Sequence, residues 1–277
     1  MVEIFADSCC DLSPEQITGN KIHIIPLYVQ MKDETYLDGE TILPPQLFEM
    51  VKASGVLPKT SAPSMPAFAL NFKSYGDSVY IGISSKLSAS FHNALLAKSE
   101  LNRQNIYVID SLTLSSAIGL LVLKAAEYRD QGMSAEEITT RIQYLVPKTY
   151  CSFSIDTLDY LYMGGRCSAM SMVVGSVLKI RPVIEVSSDG TLGVKKKVGG
   201  SRKKALQSLL EDFTAKLSEI DLERVFITHT YCDDDAEYLK AELLKIAPIK
   251  EVAITHAGAT IASHCGPNTI GILYFTR

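Results

Sequence analysis

Short apolar runs alternate with longer amphipathic stretches over the first half of the chain. Apolar runs bounded by polar turns are typical of buried strands, and apolar positions every three or four residues are typical of helices. The runs predict strands over Val2–Ala6, Ile22–Val29, Ser78–Ile83 and Asn105–Ile109. The periodic stretches predict helices from Pro14 and over Pro44–Ser54, Ser64–Tyr75, Ser88–Leu101 and Ser115–Gln131. Alternating strands and helices predict parallel βαβ units.

The pattern changes after residue 150, where a hairpin signal enters. Asp189-Gly190 separates two strand-like stretches and predicts a tight turn between antiparallel strands. Further elements are predicted over Met170–Leu178, Arg202–Lys216, Val225–His229, Asp233–Ile246, Lys250–His256 and Ile270–Phe275. We therefore expect an α/β fold in two domains. Residues 1–150 would form a parallel-sheet βαβ domain, and residues 151–277 an α+β domain with a mixed or antiparallel sheet.

Two segments of the first half concentrate hydroxyl side chains near predicted strand ends. They are Pro58-Lys59-Thr60-Ser61-Ala62-Pro63-Ser64 and Ile83-Ser84-Ser85-Lys86-Leu87-Ser88. Proline restricts its own backbone and that of the preceding residue, so we expect a stiff loop with oriented hydroxyls in the first segment. Hydroxyls at the carboxyl edge of a sheet suit a polar ligand head group. The spacing equally allows them to cap helices and form turns.

One histidine lies in a setting unlike the others. His264 stands close to Gly266 and Pro267, just before the last predicted strand. A histidine in such company is expected in a loop, available to a ligand. The alternative is a loop histidine that bonds only to backbone groups.

Composition restricts the classes of function. The 277 residues are 47% hydrophobic with a net charge of −4, which supports a sizeable core and argues against nucleic-acid binding. The six cysteines are scattered and form no C-x-x-C pair, which is typical of reduced cytosolic proteins. The sequence shows neither a signal peptide nor an apolar run long enough to cross a bilayer. We therefore expect a cytoplasmic protein without an integral membrane segment.

The familiar catalytic motifs are absent. The sequence has no phosphate-binding loop, dinucleotide-binding glycine motif, nucleophile-elbow serine or H-E-x-x-H pair. His229, Cys232 and Asp233-Asp234-Asp235 fit no standard zinc spacing, and acidic residues are ordinary where a helix starts. The sequence therefore predicts no catalytic residue, metal or cofactor.

Seven short segments occur in an order that resembles one protein family. They are Asp7–Leu12, Thr60–Ser64, Ile83–Ser88, Val108–Ser111, Leu161–Arg166, Lys179–Pro182 and His264–Pro267. Each segment is weakly specific alone, but together they span the chain and resemble the DegV family of bacterial fatty-acid-binding proteins. The resemblance implies two α/β domains that enclose one long-chain fatty acid between them.

The resemblance also implies which residues contact the ligand. In the family, hydroxyls of the two segments hold the carboxylate and a histidine lies beside it. The corresponding residues here are Thr60, Ser61, Ser84, Ser85, Ser88 and His264. We expect the tail to lie between helices 65–75 and 170–178, where a bulky residue at Ala169 or Gly175 should shorten the acyl chains accepted.

Some members of the family are the acyl-carrier subunit of fatty acid kinase, whose separate catalytic subunit phosphorylates the bound carboxylate. A family arginine implicated in docking that subunit is replaced here by Gly199. We expect partner contacts to come instead from Arg202, Lys203 and Lys204. These cations should share a face with His264.

Three functions follow from the sequence. The first is a non-catalytic fatty-acid-binding protein that presents the carboxylate to a kinase. The second is an acyl hydrolase or transferase with Ser85 or Thr60 as nucleophile and His264 as base, although a nucleophile elbow is missing. The third is a lipid-responsive regulatory protein that binds another protein through its basic segment, residues 195–204.

Overall fold

A computed structural model of the protein describes residues 1–166 and 180–277. Its strands are β1 Glu3–Asp7, β2 Ile22–Ile25, β3 Tyr28–Met31, β4 Glu34–Leu37, β5 Lys59–Ser61, β6 Ser78–Gly82, β7 Ile106–Asp110, β8 Thr149–Ser154, β9 Ile180–Val186, β10 Leu192–Gly199, β11 Ile220–His229, β12 Glu251–His256 and β13 Ile270–Thr276. Its α-helices are α1 Pro14–Gly19, α2 Pro44–Ser54, α3 Met65–Lys73, α4 Ser90–Glu100, α5 Ser116–Asp130, α6 Ala135–Leu145, α7 Asp159–Gly164, α8 Arg202–Ala215, α9 Asp233–Ile246 and α10 Ala259–Cys265.

Four strands of the first half form a parallel sheet in the order β2-β1-β6-β7. All five residues of β6 are buried, as expected of a central parallel strand with both faces covered. The register brings the carboxyl ends of β1, β6 and β7 to one edge, at Asp7, Gly82 and Asp110. The predicted βαβ organisation of this half is confirmed.

The second half forms a six-stranded mixed sheet in the order β10-β9-β8-β13-β11-β12. Only the pair β11 and β12 is parallel; the other neighbours are antiparallel. The predicted hairpin is present, with Gly190 at a φ of 85°, a left-handed conformation that glycine adopts without a steric penalty. The expected fold class, a parallel α/β sheet followed by a mixed α+β sheet, is confirmed.

A third sheet, in the order β4-β3-β5, was not anticipated from the sequence. The strand predicted over Ile22–Val29 is in fact two strands of different sheets, β2 and β3. Pro26 lies between them, and proline has no N–H to continue a ladder. The first hydroxyl segment, predicted as a loop, contains β5, which pairs antiparallel with β3.

Two further points concern helices. Helix α6, whose buried face is formed by Ala135, Ile138 and Ile142, was not predicted from the sequence. The predicted helix 170–178, including Gly175, and the neighbouring Ala169 lie outside the described residues.

Helix α5 connects the parallel sheet to the mixed sheet. All of its first eight residues and three of the remaining seven are buried, and its side chains share one apolar core with β1, β6, β8 and β13. A helical segment that is buried all round is covered on all sides. The division into domains at residue 150 stays a prediction; the parallel and mixed sheets lie on either side of it, and this core joins them.

Candidate functional site

A cavity of about 290 Å³ lies where the two halves of the chain meet. Most of its wall is apolar. The first half contributes Leu27, Ala62, Ile83, Leu87, Ala89 and Leu114, and the second half contributes Leu161, Leu192, Ile261 and Cys265. The polar part of the wall consists of Thr60, Ser61, Ser88, Arg166, Thr260 and His264. A mostly apolar cavity with a few polar groups is the usual form of a small-molecule site.

The hydroxyl side chains of the first hydroxyl segment have two different structural roles. Thr60 and Ser61 lie on β5, where pairing with Val29 and Tyr28 of β3 fixes their backbone, and both line the cavity. Ser64 instead caps α3 and accepts a hydrogen bond from the Ala67 N–H at 3.3 Å. Ser64 therefore has the capping role, and ligand contact by Thr60 and Ser61 stays a prediction.

Of the three serines in the second hydroxyl segment, only Ser88 lines the cavity. The buried Ser84 hydroxyl donates to the carbonyl of Gly190 at 2.8 Å and accepts from the Lys86 N–H at 3.2 Å. The Ser85 N–H donates to Asp110 Oδ1 at 3.1 Å, and Ser85 is not among the lining residues. Ser84 thus ties this segment to the β9–β10 hairpin.

His264 belongs to a helix, and the predicted loop is wrong. It lies in the last turn of α10, which ends at Gly266 with a φ of 75°. The Nε2 atom of His264 and the Oγ1 atom of Thr60 share a hydrogen bond of 2.7 Å. The histidine is therefore packed within the wall of the cavity, and this bond links β5 of the first half to α10 of the second.

Burial decides the charge state of His264. Desolvation, followed by the positive charge of Arg166, lowers the pKa of His264 to about 4, so the imidazole is neutral at pH 7. Its Nδ1 atom is buried and has no hydrogen-bond partner among residues 1–166 and 180–277. Gly164 at the end of α7 lies against the same ring, and a Cβ there would overlap Nδ1.

Arg166 is the one charged side chain among the described residues that line the cavity. It follows Gly165, which ends α7 in the left-handed region at a φ of 65°. Its Nη1 donates to the Gly164 carbonyl at 2.6 Å and its Nε to the Leu87 carbonyl at 3.4 Å. The Gly-Gly-Arg turn contributes to the family resemblance, but the sequence alone did not assign Arg166 to the site. The sequence signal that points to it is a single arginine directly after the two glycines at the end of α7.

Two buried carboxylates hold the amino end of α10. Asp11 accepts from the Gly258 N–H at 2.8 Å, and Asp38 accepts from the Ala259 N–H at 2.7 Å. Their other oxygens accept from the hydroxyls of Ser115 and Ser8. Burial raises the pKa of both carboxyls. Such N-terminal contacts satisfy free N–H groups and favour the helix dipole, so they position the helix that carries His264.

The basic residues proposed to contact a partner differ in their surroundings. The Nε of Arg202 bonds Asp235 at 2.7 Å, and its Nη1 bonds the Asn268 carbonyl at 2.5 Å and Asp156 at 3.3 Å. Arg202 is thus engaged within the fold and ties α8 to the loop that follows α10. Lys203 and Lys204 are exposed. The partner prediction therefore rests on these two lysines.

Fold and cavity together define an α/β protein with a mostly apolar pocket and a few polar side chains in its wall. A sequence model of the DegV family matches residues 1–277. The chain belongs to the DegV family. Over the described residues, no helix combines the length and apolar character needed to cross a bilayer.

Similar proteins cover essentially the whole chain. A DegV domain-containing protein of Clostridium perfringens is 30% identical over 98% of this chain and 96% of its own length. A structure described as fatty acid binding of a DegV family protein from Thermus thermophilus matches with a TM-score of 0.93 and 29% identity, covering 100% of this chain and 99% of the other. The Streptococcus pneumoniae fatty acid kinase B3 protein, loaded with linoleic acid, matches with a TM-score of 0.89 and 25% identity over 100% of both chains.

Proposed function

We propose that this protein binds one long-chain fatty acid, with the carboxylate at the Thr60–His264 pair and the tail among the apolar side chains of the cavity. The observation that supports this most directly is that His264 interacts with two other polar side chains of the wall, Thr60 and Arg166. Thr60 bonds His264, and Arg166 lies close enough to His264 to lower its pKa. The rest of the wall is largely apolar. One polar cluster in an apolar wall suits a ligand with a single polar end.

The neighbours support the same ligand class. The Thermus thermophilus and Streptococcus pneumoniae structures are described as a fatty-acid-binding protein and as a protein loaded with linoleic acid. Their folds superimpose on this chain over its full length. From these neighbours we extend only the ligand class, a fatty acid, to this chain.

The affinity would come mainly from the tail. Each buried methylene contributes about 0.8 kcal/mol, so ~14 of them supply on the order of 10 kcal/mol before ordering costs. The carboxylate then needs only hydrogen-bond donors or a positive charge nearby, since an unpaired buried carboxylate is costly. The hydroxyls of Thr60, Ser61 and Ser88 can donate to it, and Arg166 supplies positive charge.

A second interpretation, catalysis by a Thr60–His264 pair, deserves a test because the two side chains are within hydrogen-bond distance. A nucleophile–base pair also needs a group that orients the base. The Nδ1 atom of His264 has no such partner among the described residues. Its pKa of about 4 also makes His264 a weak base at pH 7. We therefore infer a protein that presents its ligand and does not itself transform it.

We further propose that the bound carboxylate is presented to a fatty acid kinase catalytic subunit. Support comes from the fatty acid kinase B3 neighbour and from the exposed Lys203 and Lys204. Exposed cations steer an acidic partner and speed its association, in a manner that salt weakens.

The test combines lipid-loaded protein, ATP and the catalytic subunit from the same organism, with acyl phosphate as the readout. We expect product only when all components are present, and none when the protein is incubated alone with activated acyl esters.

Charge reversal at Lys203 and Lys204 should slow association and reduce its salt dependence without changing lipid content. The matched control reverses the exposed Lys52 and Lys73. Ester hydrolysis by the protein alone would favour the enzyme, and equal rates in both double variants would remove these lysines from the interface.

A further inference from the structure

Two histidines and an aspartate converge at one edge of the mixed sheet, and none of them lines the cavity described above. His229 and His256 are the last residues of β11 and β12, and the parallel register places them directly opposite each other. Their ring centroids are 4.5 Å apart. Asp233 is the first residue of α9, the helix that connects these two strands.

The three side chains present their donor atoms to one point. Asp233 Oδ1 is 3.0 Å from His256 Nε2 and 3.8 Å from His229 Nε2. One donor atom from each residue lies within 4.8 Å of the other two. Nitrogen and oxygen ligands stand about 2.0–2.2 Å from a zinc ion, so two ligands of one ion are roughly 3–3.6 Å apart. The measured separations bracket that range.

His229 supplies the observation that points to a ligand. The residue is 1% exposed. Its Nδ1 accepts a hydrogen bond from the Cys232 N–H at 3.3 Å, whereas its Nε2 is buried and has no hydrogen-bond partner among the described residues. Buried polar atoms are nearly always paired, so an unpaired one requires an explanation, and a bound ion is one. This atom lies 3.8 Å from Asp233 Oδ1.

We propose that His229, Asp233 and His256 bind a divalent transition-metal ion of the zinc class. Two imidazoles and one carboxylate form a donor set suited to a borderline metal such as Zn²⁺. The side chains of Asp233 and His256 are 69% and 65% exposed, so water can complete the coordination. These two exposed side chains can adjust around the ion, while the buried His229 provides the fixed ligand.

Coordination has an identifiable cost. A metal at Nε2 places the ring proton of His229 on Nδ1, which ends the 3.3 Å hydrogen bond from Cys232. Imidazoles must be neutral to bind metal, so binding is expected to weaken at acidic pH.

The spacing of His229, Cys232 and Asp233-Asp234-Asp235 fits no standard zinc pattern, so the sequence alone predicts no metal. In the structure the Cys232 Sγ donates a hydrogen bond to the Thr269 carbonyl at 3.5 Å. The ligand that replaces it, His256, is distant in sequence and is brought in by the pairing of β11 with β12.

The test is calorimetric titration of Zn²⁺ into the full chain, free of any polyhistidine tag and freed of metal by a chelator. We expect one ion per chain and a rise in melting temperature on saturation. His256→Ala, which alters an exposed side chain, should weaken binding at least tenfold, and Asp233→Asn should weaken it similarly. His92→Ala is the matched control, because His92 is an exposed histidine outside the cluster, and it should leave the affinity unchanged.

Several results would overturn the proposal. They are the absence of saturable binding, equal affinity of the wild-type and His256→Ala proteins, or a thiolate-to-metal charge-transfer band when Co²⁺ replaces Zn²⁺. The last result would assign the ion to cysteine. Because these measurements use Zn²⁺ or Co²⁺ and no lipid, they stand apart from the test of fatty acid binding.

Discussion

His264 connects the two sides of the cavity wall through a single hydrogen bond. The bond joins it to Thr60, which lies 204 residues earlier in the chain. Because burial and Arg166 keep the imidazole neutral, the ring offers a hydrogen bond without forming an ion pair with a carboxylate. A neutral imidazole and hydroxyls hold a head group less rigidly than a bidentate arginine pair would. In the proposed function, this would suit a carboxylate that is phosphorylated while bound.

Thr60→Val tests the head-group contact, because it removes the hydroxyl while nearly preserving shape. Fatty acid affinity should fall by roughly 1–3 kcal/mol, the cost of leaving a buried polar partner unpaired. Displacement of a fluorescent fatty acid measures the change. Ser85→Ala is the matched control and should alter affinity little, because Ser85 lies outside the cavity wall. If Ser85→Ala weakened binding as much, the carboxylate would lie at the second hydroxyl segment.

The lowered pKa of His264 predicts a pH dependence of stability. Its pKa is about 4 in the fold and about 6.5 in the unfolded chain. Between these values the unfolded state binds more protons, so stability decreases as pH falls. The free energy of unfolding of the wild-type protein relative to His264→Gln should drop by roughly 2 kcal/mol between pH 7.5 and pH 4.5. Urea unfolding at both pH values measures this difference, and a constant difference would contradict the neutral, buried imidazole.

At the scale of elements, α10 is the part of the fold that assembles the site. Its amino end is fixed by Asp11 and Asp38, and its carboxyl end packs beneath α7, where Tyr160 covers Gly266. Between these ends it brings Thr260, Ile261, His264 and Cys265 to the cavity. The position of a seven-residue helix is thus set by contacts from both halves of the chain.

Asp38→Ala should loosen the amino end of α10. The Ala259 N–H and the Ser8 hydroxyl would each lose an acceptor, at a cost of about 1–3 kcal/mol of stability. Amide hydrogen exchange at Ala259 should also accelerate in this variant, because its N–H loses its hydrogen-bond acceptor. Glu40→Ala, at an exposed carboxylate of the same turn, is the control and should leave both quantities unchanged. Unchanged exchange in Asp38→Ala would mean that α10 is held by its packing alone.

Gly164→Ala should displace His264, because the added methyl group would overlap the imidazole. Overpacking of this kind costs about 1–3 kcal/mol, and here it should also weaken fatty acid binding. Gly19→Ala adds a methyl group where nothing lies within 4 Å and should change neither property. Thermal unfolding and ligand titration of both variants make the comparison. Wild-type affinity in Gly164→Ala would show that the ring can move without loss of the site.

Local patterns predicted the elements whose signals are local. Ser13 caps α1 with Pro14 at its first position, as expected, and the Asp189-Gly190 turn forms its hairpin. The third sheet escaped prediction because β5 is a strand only through its pairing with β3. For the same reason His264 was expected in a loop. The acceptors that start its helix, Asp11 and Asp38, are more than 200 residues away.

The candidate site was predictable in part. The resemblance supplied Thr60, Ser61, Ser88 and His264, which the fold brings to one cavity. It also supplied Ser84, whose hydroxyl faces Gly190. The sequence shows where hydroxyl side chains are concentrated. The direction in which each side chain points depends on the packing of distant elements, such as the β9–β10 hairpin against Ser84.

At the scale of the whole molecule, the cavity exists because two sheets share one core. Helix α5 packs against strands of both sheets, and the cavity takes its wall from both halves of the chain. A smaller apolar space beside it is lined by Cys151, Phe153 and Leu273 and shares Leu114, Ile261 and Cys265 with the cavity wall. The tail of a bound ligand therefore has apolar surroundings on the side of the mixed sheet as well.

Native mass spectrometry of the protein purified from its own organism, followed by identification of the released molecule, tests the central claim most directly. We predict a complex of one chain with one long-chain fatty acid, and a lower retained fraction in Thr60→Val than in Ser85→Ala. A chain that is free of lipid, or one that carries a ligand without a fatty acyl tail, would contradict the account.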